Sequence, residues 1–373
     1  MAGMKVGVIA AEMEGRATGV GRYLEGLLSG LEGWNHGVEW HFFFQGDPDS
    51  SPRLPDGPFH AHHSHHCGGR VWWEQVVVTR DLAAVAPDVV FGPAYTIPFG
   101  LEAPSVVTIH DLSFEVLPGE FGIRERWRRR LLARRAARVA WRVITDTEYL
   151  SSLVGERYGV GDDRLAVVPL GVDNHAFSPR QGEEDAPVLS RLGIRPPYVL
   201  LPGTVLERRM PRQILEAFAL LRSSRPELQL VIAGANRLRR PRRLDAWITE
   251  LGLTEATRVL GWVEEKTLAP LYRGAELAFY LSRHEGFGLP PLECLACGTP
   301  VVVNAGLGLD DAWPAYPHRV SRLAAEEIAA AATEILAHPE ATARAMIEAP
   351  EVLGGLNWER CSRRLVAELG RVV

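Results

Sequence analysis

Lysine is almost missing from this 373-residue chain: only Lys5 and Lys266 occur, and arginine supplies the rest of its 41 basic residues. A cationic site for phosphate is therefore a matter of planar guanidinium forks rather than compact ammonium groups. Cysteine is scarce as well. Four of them, at positions 67, 294, 297 and 361, make no disulfide framework in a chain this long, so a reducing cytoplasm is the expected compartment. No apolar run reaches the ~20 residues that span a bilayer. The opening Met1 to Ala10 lacks the layout of a signal peptide and reads as a first strand. A net charge of −5 gives no bulk attraction to nucleic acid. What is present, 46% hydrophobic and 23% charged residues, suits two domains of ordinary size with large cores.

The most informative stretch is Ser282-Arg-His-Glu-Gly-Phe-Gly-Leu-Pro-Pro-Leu-Glu-Cys-Leu-Ala-Cys-Gly-Thr-Pro-Val-Val302. The apolar run Leu277 to Leu281 before it reads as a buried strand. Pro290 and Pro291 suit the first turn of a helix, where a missing N–H costs nothing. A helix start favours an anionic ligand, and Gly286 and Gly288 let that ligand come close to the backbone. Glu285 lies on the turn and Glu293 in the early helix, seven residues between them. Their carboxylates are good acceptors for sugar hydroxyls. The reading is a phosphate-and-sugar ligand across a strand's carboxyl end.

This string resembles the E-x7-E signature of retaining glycosyltransferases of the GT-B fold, family 4. The resemblance extends over nearly the whole chain and is densest from 198 to 303. It implies an α/β fold of two facing doubly wound Rossmann-like domains with a cleft between them. An acceptor-side domain is expected over 1–175, a nucleotide-sugar donor domain over 176–356, and a final helix over 357–373 that packs back on the first domain. It also implies a retaining, metal-independent transfer from a nucleotide-diphosphate sugar to a glycan, lipid-linked or small-molecule acceptor, with the nucleotide sugar as co-substrate and no separate cofactor.

Further segments carry the resemblance residue by residue. Gly19, Gly21 and Arg22, in Gly15 to Tyr23, match a glycine-rich loop facing the cleft. Thr108-Ile-His-Asp-Leu-Ser113 resembles the segment whose histidine, His110 here, reaches the transferred sugar. Gly203 and Thr204 open the turn that carries the family's Arg-Lys pair for the donor diphosphate. Counting back from Glu216-Ala-Phe218 puts Arg208 and Arg209 in those places, whereas counting forward from Gly203 shifts the match by one. Gly234 ends a strand beside the nucleotide base. Glu285, Gly286, Phe287, Gly288 and Leu289 face the donor sugar and phosphates, and Glu293 the ribose. After Val303 the chain departs from the family pattern, reading Asn304-Ala-Gly-Leu-Gly-Leu-Asp-Asp311.

Other features have plainer readings. Asp47-Pro-Asp49 looks like a turn. Ser51 to Gly69, with His60, His62, His63, His65, His66 and Cys67, reads as a long loop of metal-site composition but without metal-site spacing. Arg124 to Arg142 holds nine arginines and one glutamate. It reads as a helix with Trp127, Leu131, Leu132, Val139 and Trp141 toward the core and a cationic face. That face suits a phosphorylated acceptor or an anionic membrane at its cytoplasmic side. Cys294 and Cys297 read as core packing. Gln181 to Arg195 is linker-like. Two other classes fit parts of the pattern: a GT-B epimerase or phosphorylase, and a non-catalytic His-rich module for metal or glycan.

Overall fold

The computed structural model describes residues 3–15, 19–34, 37–64, 69–180, 182–305 and 308–373. Its residues divide into two units, Met1–Gly171 with Leu356–Val373, and Val172–Gly355. The sequence reading set the first crossing at 175.

The first unit is built on seven parallel strands: β1 (Met4–Ile9), β2 (Val38–Phe44), β3 (Phe59–His63), β4 (Val89–Gly92), β5 (Ser105–Ile109), β6 (Arg142–Thr145) and β7 (Leu165–Val167). Their order is β3-β2-β1-β4-β5-β6-β7. Parallel strands covered by helices on both faces are apolar along their whole length, as Val6 and Val8 of β1 and Val106 and Val107 of β5, all buried, illustrate. The order reverses between β1 and β4, and the strand ends at such a reversal are where open α/β sheets hold ligands.

The second unit has six parallel strands: β8 (Tyr198–Pro202), β9 (Gln229–Ala233), β10 (Thr257–Gly261), β11 (Leu277–Tyr280), β12 (Val301–Asn304) and β13 (Arg319–Val320). They run β10-β9-β8-β11-β12-β13, with the reversal between β8 and β11. Both units are doubly wound α/β sheets.

Helix caps follow from the sequence. Thr147 Oγ1 accepts from the Leu150 N–H at 3.1 Å, opening helix Glu148–Tyr158. Asn357 Oδ1 accepts from the Arg360 N–H at 2.8 Å, opening helix Trp358–Gly370. Each side chain satisfies one of the donors a helix start leaves orphaned.

Three expectations are corrected. Residues 59–63, read as loop, form β3, paired with β2 in the register His41↔His60 and Phe43↔His62. Histidine is not a strand former by composition, but the segment alternates faces and has a hydrogen-bonding edge to complete. Asp185–Arg191, read as linker, is a helix; Arg273 holds its first residue, donating from Nη2 to Asp185 at 2.6 Å. The long arginine-rich helix, Ile123–Val139, turns the other way from the one expected. Its buried face is Ala133, Ala136 and Ala137, spaced one turn apart, and Trp127, Leu131, Val139 and Trp141 are exposed. Small side chains let this helix approach the sheet closely; the large ones have no room beneath it. Asp47-Pro-Asp49 lies at a short 3-10 turn, Pro48–Ser50. Cys294, Cys297 and Cys361 are buried thiols, and burial pushes that of Cys297 up to about 12.

Helix Trp358–Gly370 lies on helix Gly19–Leu31 through glycines. A β-carbon at Gly26 would stand 2.2 Å from the Trp358 ring, and one at Gly30 would stand 2.3 Å from the Trp358 carbonyl oxygen. Ser362 Oγ donates to the Leu27 carbonyl at 2.9 Å, and Arg142 Nε donates to Glu368. Gly26→Ala is therefore expected to lower unfolding free energy by ~1–3 kcal/mol in urea titration. Gly370→Ala, where nothing lies within 4 Å, should leave stability unchanged or slightly raised.

Candidate active site

In the second unit, chemistry collects at the reversal between β8 and β11. Gly203, just past β8, has φ of +85°. A β-carbon there would lie 2.6 Å from Arg209 Nη1, so glycine is required both for the turn and for the guanidinium's place. The chain then makes a short turn, Glu207–Arg209, and Met210 takes φ of +54° before helix Pro211–Ser224 begins.

Arg209 is the centre of the site. Its Nη2 donates to the Tyr280 hydroxyl at 2.7 Å and to Glu285 Oε2 at 3.2 Å; its Nε reaches the same oxygen at 3.3 Å. Its Nη1 donates to the Thr204 carbonyl at 3.2 Å. The Tyr280 hydroxyl donates in turn to Glu285 Oε2 at 3.1 Å, and the guanidinium carbon lies 4.8 Å from the centre of the Tyr280 ring. Burial, with the Glu285 carboxylate beside it, pushes the Tyr280 phenol well above its ordinary range, although Arg209 opposes this. The phenol is therefore a donor throughout the accessible pH range. Arg208 joins the two strand-end turns by its backbone, its carbonyl accepting from the Arg283 N–H at 2.9 Å.

Helix Leu289–Ala296 starts beside this cluster, with Gly288 at φ +88° as its N-cap. Pro290 and Pro291 carry no N–H, so the donors at its start are those of Gly288 and Leu289. This is a leaner anion site than a helix N-terminus ordinarily offers, and it shifts the electrostatic burden to the arginines. One turn further in, Glu293 is almost completely buried, and the Tyr272 hydroxyl donates to its Oε2 at 2.8 Å. Gly234 packs backbone against backbone: a β-carbon there would stand 1.9 Å from the Gly203 carbonyl oxygen. Its role is thus to let the β8 and β9 ends meet, beyond the opening expected of it.

The departure after Val303 has a structural substitute. Asn304 Oδ1 accepts from the Ser282 N–H at 2.8 Å and its Nδ2 donates to the Ser282 carbonyl at 3.0 Å. This amide clamp pins the start of the Glu285 turn. Gly308 approaches Phe287 so closely that a β-carbon would lie 2.5 Å from the Phe287 carbonyl oxygen. Positions 306 and 307 lie outside the described residues.

In the first unit, His110 follows β5. Its Nδ1 lies 2.8 Å from Asp146 Oδ2 and its Nε2 lies 2.9 Å from the Pro93 carbonyl. Both partners are acceptors only, so both ring nitrogens donate and the ring is an imidazolium. Burial opposes that charge, but the Asp146 carboxylate and the Pro93 carbonyl outweigh it and raise the pKa. Tyr23 lies edge-on to the ring, 4.6 Å between centres. Gly19, Gly21 and Arg22 form the first turn of helix Gly19–Leu31; positions 16 to 18 of the glycine-rich loop lie outside the described residues, as do His65, His66, Cys67 and Gln181.

The second unit thus gathers Gly203, Thr204, Arg208, Arg209, Gly234, Glu285 to Leu289 and Glu293 around the ends of β8 and β11; the first unit, taken by itself, holds His110 after β5 and Gly19 to Arg22 at the start of helix Gly19–Leu31. Sequence reasoning missed Tyr280, Tyr272, Asn304 and Asp146. Three of these close or directly follow an apolar strand with a polar atom: Tyr280 on β11, Asn304 on β12, and Asp146 just past β6. That change of character at a strand's carboxyl end is the signal that marks them.

Two doubly wound units, the second with its Arg209–Tyr280–Glu285 cluster at the sheet's reversal and the first with His110 and Asp146 just past β5 and β6, fit the GT-B class. The comparisons agree. Residues 17–176 match the family model described as Glycosyltransferase Family 4, and residues 190–351 the one described as Glycosyl transferases group 1. Among curated proteins, a D-inositol 3-phosphate glycosyltransferase of Geodermatophilus obscurus is 34% identical over 240 residues, 61% of this chain and 51% of that protein. The chain spans about half the length of the first curated relatives it matches. Among solved structures, sucrose-phosphate synthase from Thermosynechococcus elongatus superimposes with a TM-score of 0.76 at 20% identity, covering 99% of this chain and 98% of that one. Anabaena HepE, in complex with UDP-glucose, gives 0.75 at 16% identity, covering 99% and 100%. The two family matches, one in each unit, together with the fold, support a family-4-type GT-B glycosyltransferase.

Because the folded state raises the pKa of His110, it binds a proton there more tightly than the unfolded chain does. That stability is fully present below the ordinary histidine value of 6.5 and is lost as pH rises through the higher folded value. Unfolding free energy measured in urea is expected to fall from pH 6 to pH 8.5, and Asp146→Asn should flatten this decline. An equally steep decline in the variant would assign it to other groups.

Proposed function

We propose that this chain is a retaining glycosyltransferase that moves a sugar from a nucleotide-diphosphate sugar to a hydroxyl acceptor, with no divalent ion in the transfer step. The observation that carries this reading is the Arg209–Tyr280–Glu285 cluster beside the start of helix Leu289–Ala296. A departing diphosphate needs neutralisation, and a developing oxocarbenium needs oriented hydroxyls and negative charge.

Arg209 holds Glu285 through its Nη2 and Nε. A diphosphate is a stronger partner for a guanidinium fork, so donor binding would draw Arg209 and Arg208 onto the phosphates and leave Glu285 to accept sugar hydroxyls. The N–H groups of Gly288 and Leu289 add to the phosphate cradle. Glu293, oriented by Tyr272, accepts from the ribose diol. His110, a fixed imidazolium held on both sides, acts as a positioning group rather than a base.

Transfer then proceeds on one face of the sugar. The anomeric carbon–phosphate oxygen bond breaks, the acceptor oxygen bonds to that carbon, and the acceptor's proton passes to the departing phosphate oxygen. Glu285 as a covalent nucleophile is less suited, because the Tyr280 phenol donates to its Oε2 even once Arg209 has turned to the phosphates. Specificity for acceptor resides in the loops of the first unit.

The exposed face of helix Ile123–Val139 supports a membrane-linked acceptor. Ile123, Trp127 and Leu131 recur every four residues and are 78%, 54% and 63% exposed, with arginines between them. Apolar side chains can enter the lipid headgroup region while arginines meet anionic lipid. In vesicle sedimentation, binding to anionic but not zwitterionic membranes is expected, and the double change Trp127→Ser with Leu131→Ser should weaken it at least roughly tenfold. Equal pelleting of the variant would remove this part of the reading.

Thermal unfolding with UDP, GDP, dTDP and ADP, each with and without EDTA, tests the donor. One nucleotide at ~100 times its dissociation constant should add ~2.7 kcal/mol, with EDTA making no difference. Glu293→Ala should weaken that nucleotide's binding roughly 10- to 100-fold, the loss of a charged hydrogen bond. Arg209→Ala should instead lower kcat by ~10²–10³. A nucleotide affinity untouched by Glu293→Ala overturns its assignment, and sugar phosphate or a sugar epimer as sole product overturns transfer.

A further inference from the structure

The pairing of β2 with β3 brings together side chains that the active site does not use. Glu39 and His41 are two apart on β2 and so share a face. His60 is the registered partner of His41, and His62 that of Phe43, which puts all of them on that face. Glu39 Oε1 lies 3.3 Å from His41 Nε2 and 3.2 Å from His60 Nε2. The three ligand atoms all lie within 4.8 Å of one another.

A tetrahedral zinc ion with bonds of ~2.0–2.1 Å holds neighbouring ligand atoms about 3.3 Å apart. The two distances from Glu39 already have that length. His41 supplies a second, independent indication. It is 7% exposed, and its Nε2 is buried without a hydrogen-bond partner, so the contact with Glu39 is close but not aligned as a hydrogen bond. Its Nδ1 lies 2.9 Å from His62 Nε2. If Nδ1–H donates to His62, His41 Nε2 carries a lone pair facing a carboxylate oxygen, an arrangement that a cation between them resolves.

We infer that Glu39, His41 and His60 form a zinc site that clips the edge strand β3 to β2, with His62 orienting His41 from behind. Two imidazole nitrogens and one carboxylate oxygen favour zinc over magnesium or calcium, which take oxygen ligands. The fourth position belongs to water. The site is structural and separate from transfer. An edge strand five residues long, with His60 exposed and His62 and His63 partly buried, gains a fixed partner by it.

The test is calorimetric titration of the metal-stripped chain with Zn2+, followed by Co2+ in its place. One equivalent should bind, the melting temperature should rise, and Co2+ should give the intense visible bands of four-coordinate geometry. His60→Ala, an exposed position, should weaken binding at least tenfold and keep the fold, and Glu39→Gln should do likewise. His62→Gln should weaken it roughly 10- to 100-fold while keeping the stoichiometry. The nucleotide-induced shift should be the same in wild type and His60→Ala, which separates this site's failure from failure of the donor reading. Weak binding at several sites, binding unchanged in His60→Ala, or binding lost in a chain with His65, His66 and Cys67 all changed to alanine would each overturn the proposal.

Discussion

A guanidinium held against a phenol and a carboxylate governs the ligand-facing end of the second unit. Arg209 fixes the turn after β8, Tyr280 ends β11, and Glu285 belongs to the turn beyond it, so one side chain ties two strand ends across the sheet's reversal. The glycines around it follow from that placement. Gly203 leaves room for the guanidinium, Gly288 passes over the Tyr280 ring, and Gly234 lets the β9 end meet Gly203. A charged pair so little exposed is costly to break one partner at a time; in the proposed transfer a diphosphate would offer Arg209 the better partner.

The first unit solves a similar problem with opposite charge logic. There a histidine carries the positive charge, and a carboxylate and a carbonyl oxygen hold it from both sides. Both ring nitrogens are engaged by these acceptors, which favours the charged ring until the pH passes its raised pKa.

Much of this was legible in the chain. Strands with apolar character throughout, glycine turns and helix starts announce a parallel α/β fold, and the run from Glu285 to Glu293 names its own turn and helix. The partners were not legible. Tyr280 and Tyr272 look like core aromatics until the fold sets their hydroxyls against Glu285 and Glu293. Asp146 is 36 residues from His110 and meets it only because β6 lies beside β5. The arginine-rich helix misled because large apolar residues suggest a buried stripe, whereas close packing on a sheet selects alanine. The histidine segment read as loop because histidine carries little strand signal along the chain; its alternation becomes visible only once β3 pairs with β2.

The first unit takes its last helix from the far end of the chain, where Trp358 lies on Gly26 and Gly30. The polypeptide therefore passes between units twice, at 171 and again at 355. On the ribosome this reverses the order suggested by the gene. The second unit has all of its residues before the first does, and the helix that covers Gly26 and Gly30 is made after the whole of the second unit. Until then the glycine face of helix Gly19–Leu31 stands uncovered, so the first domain is completed by residues that follow the second.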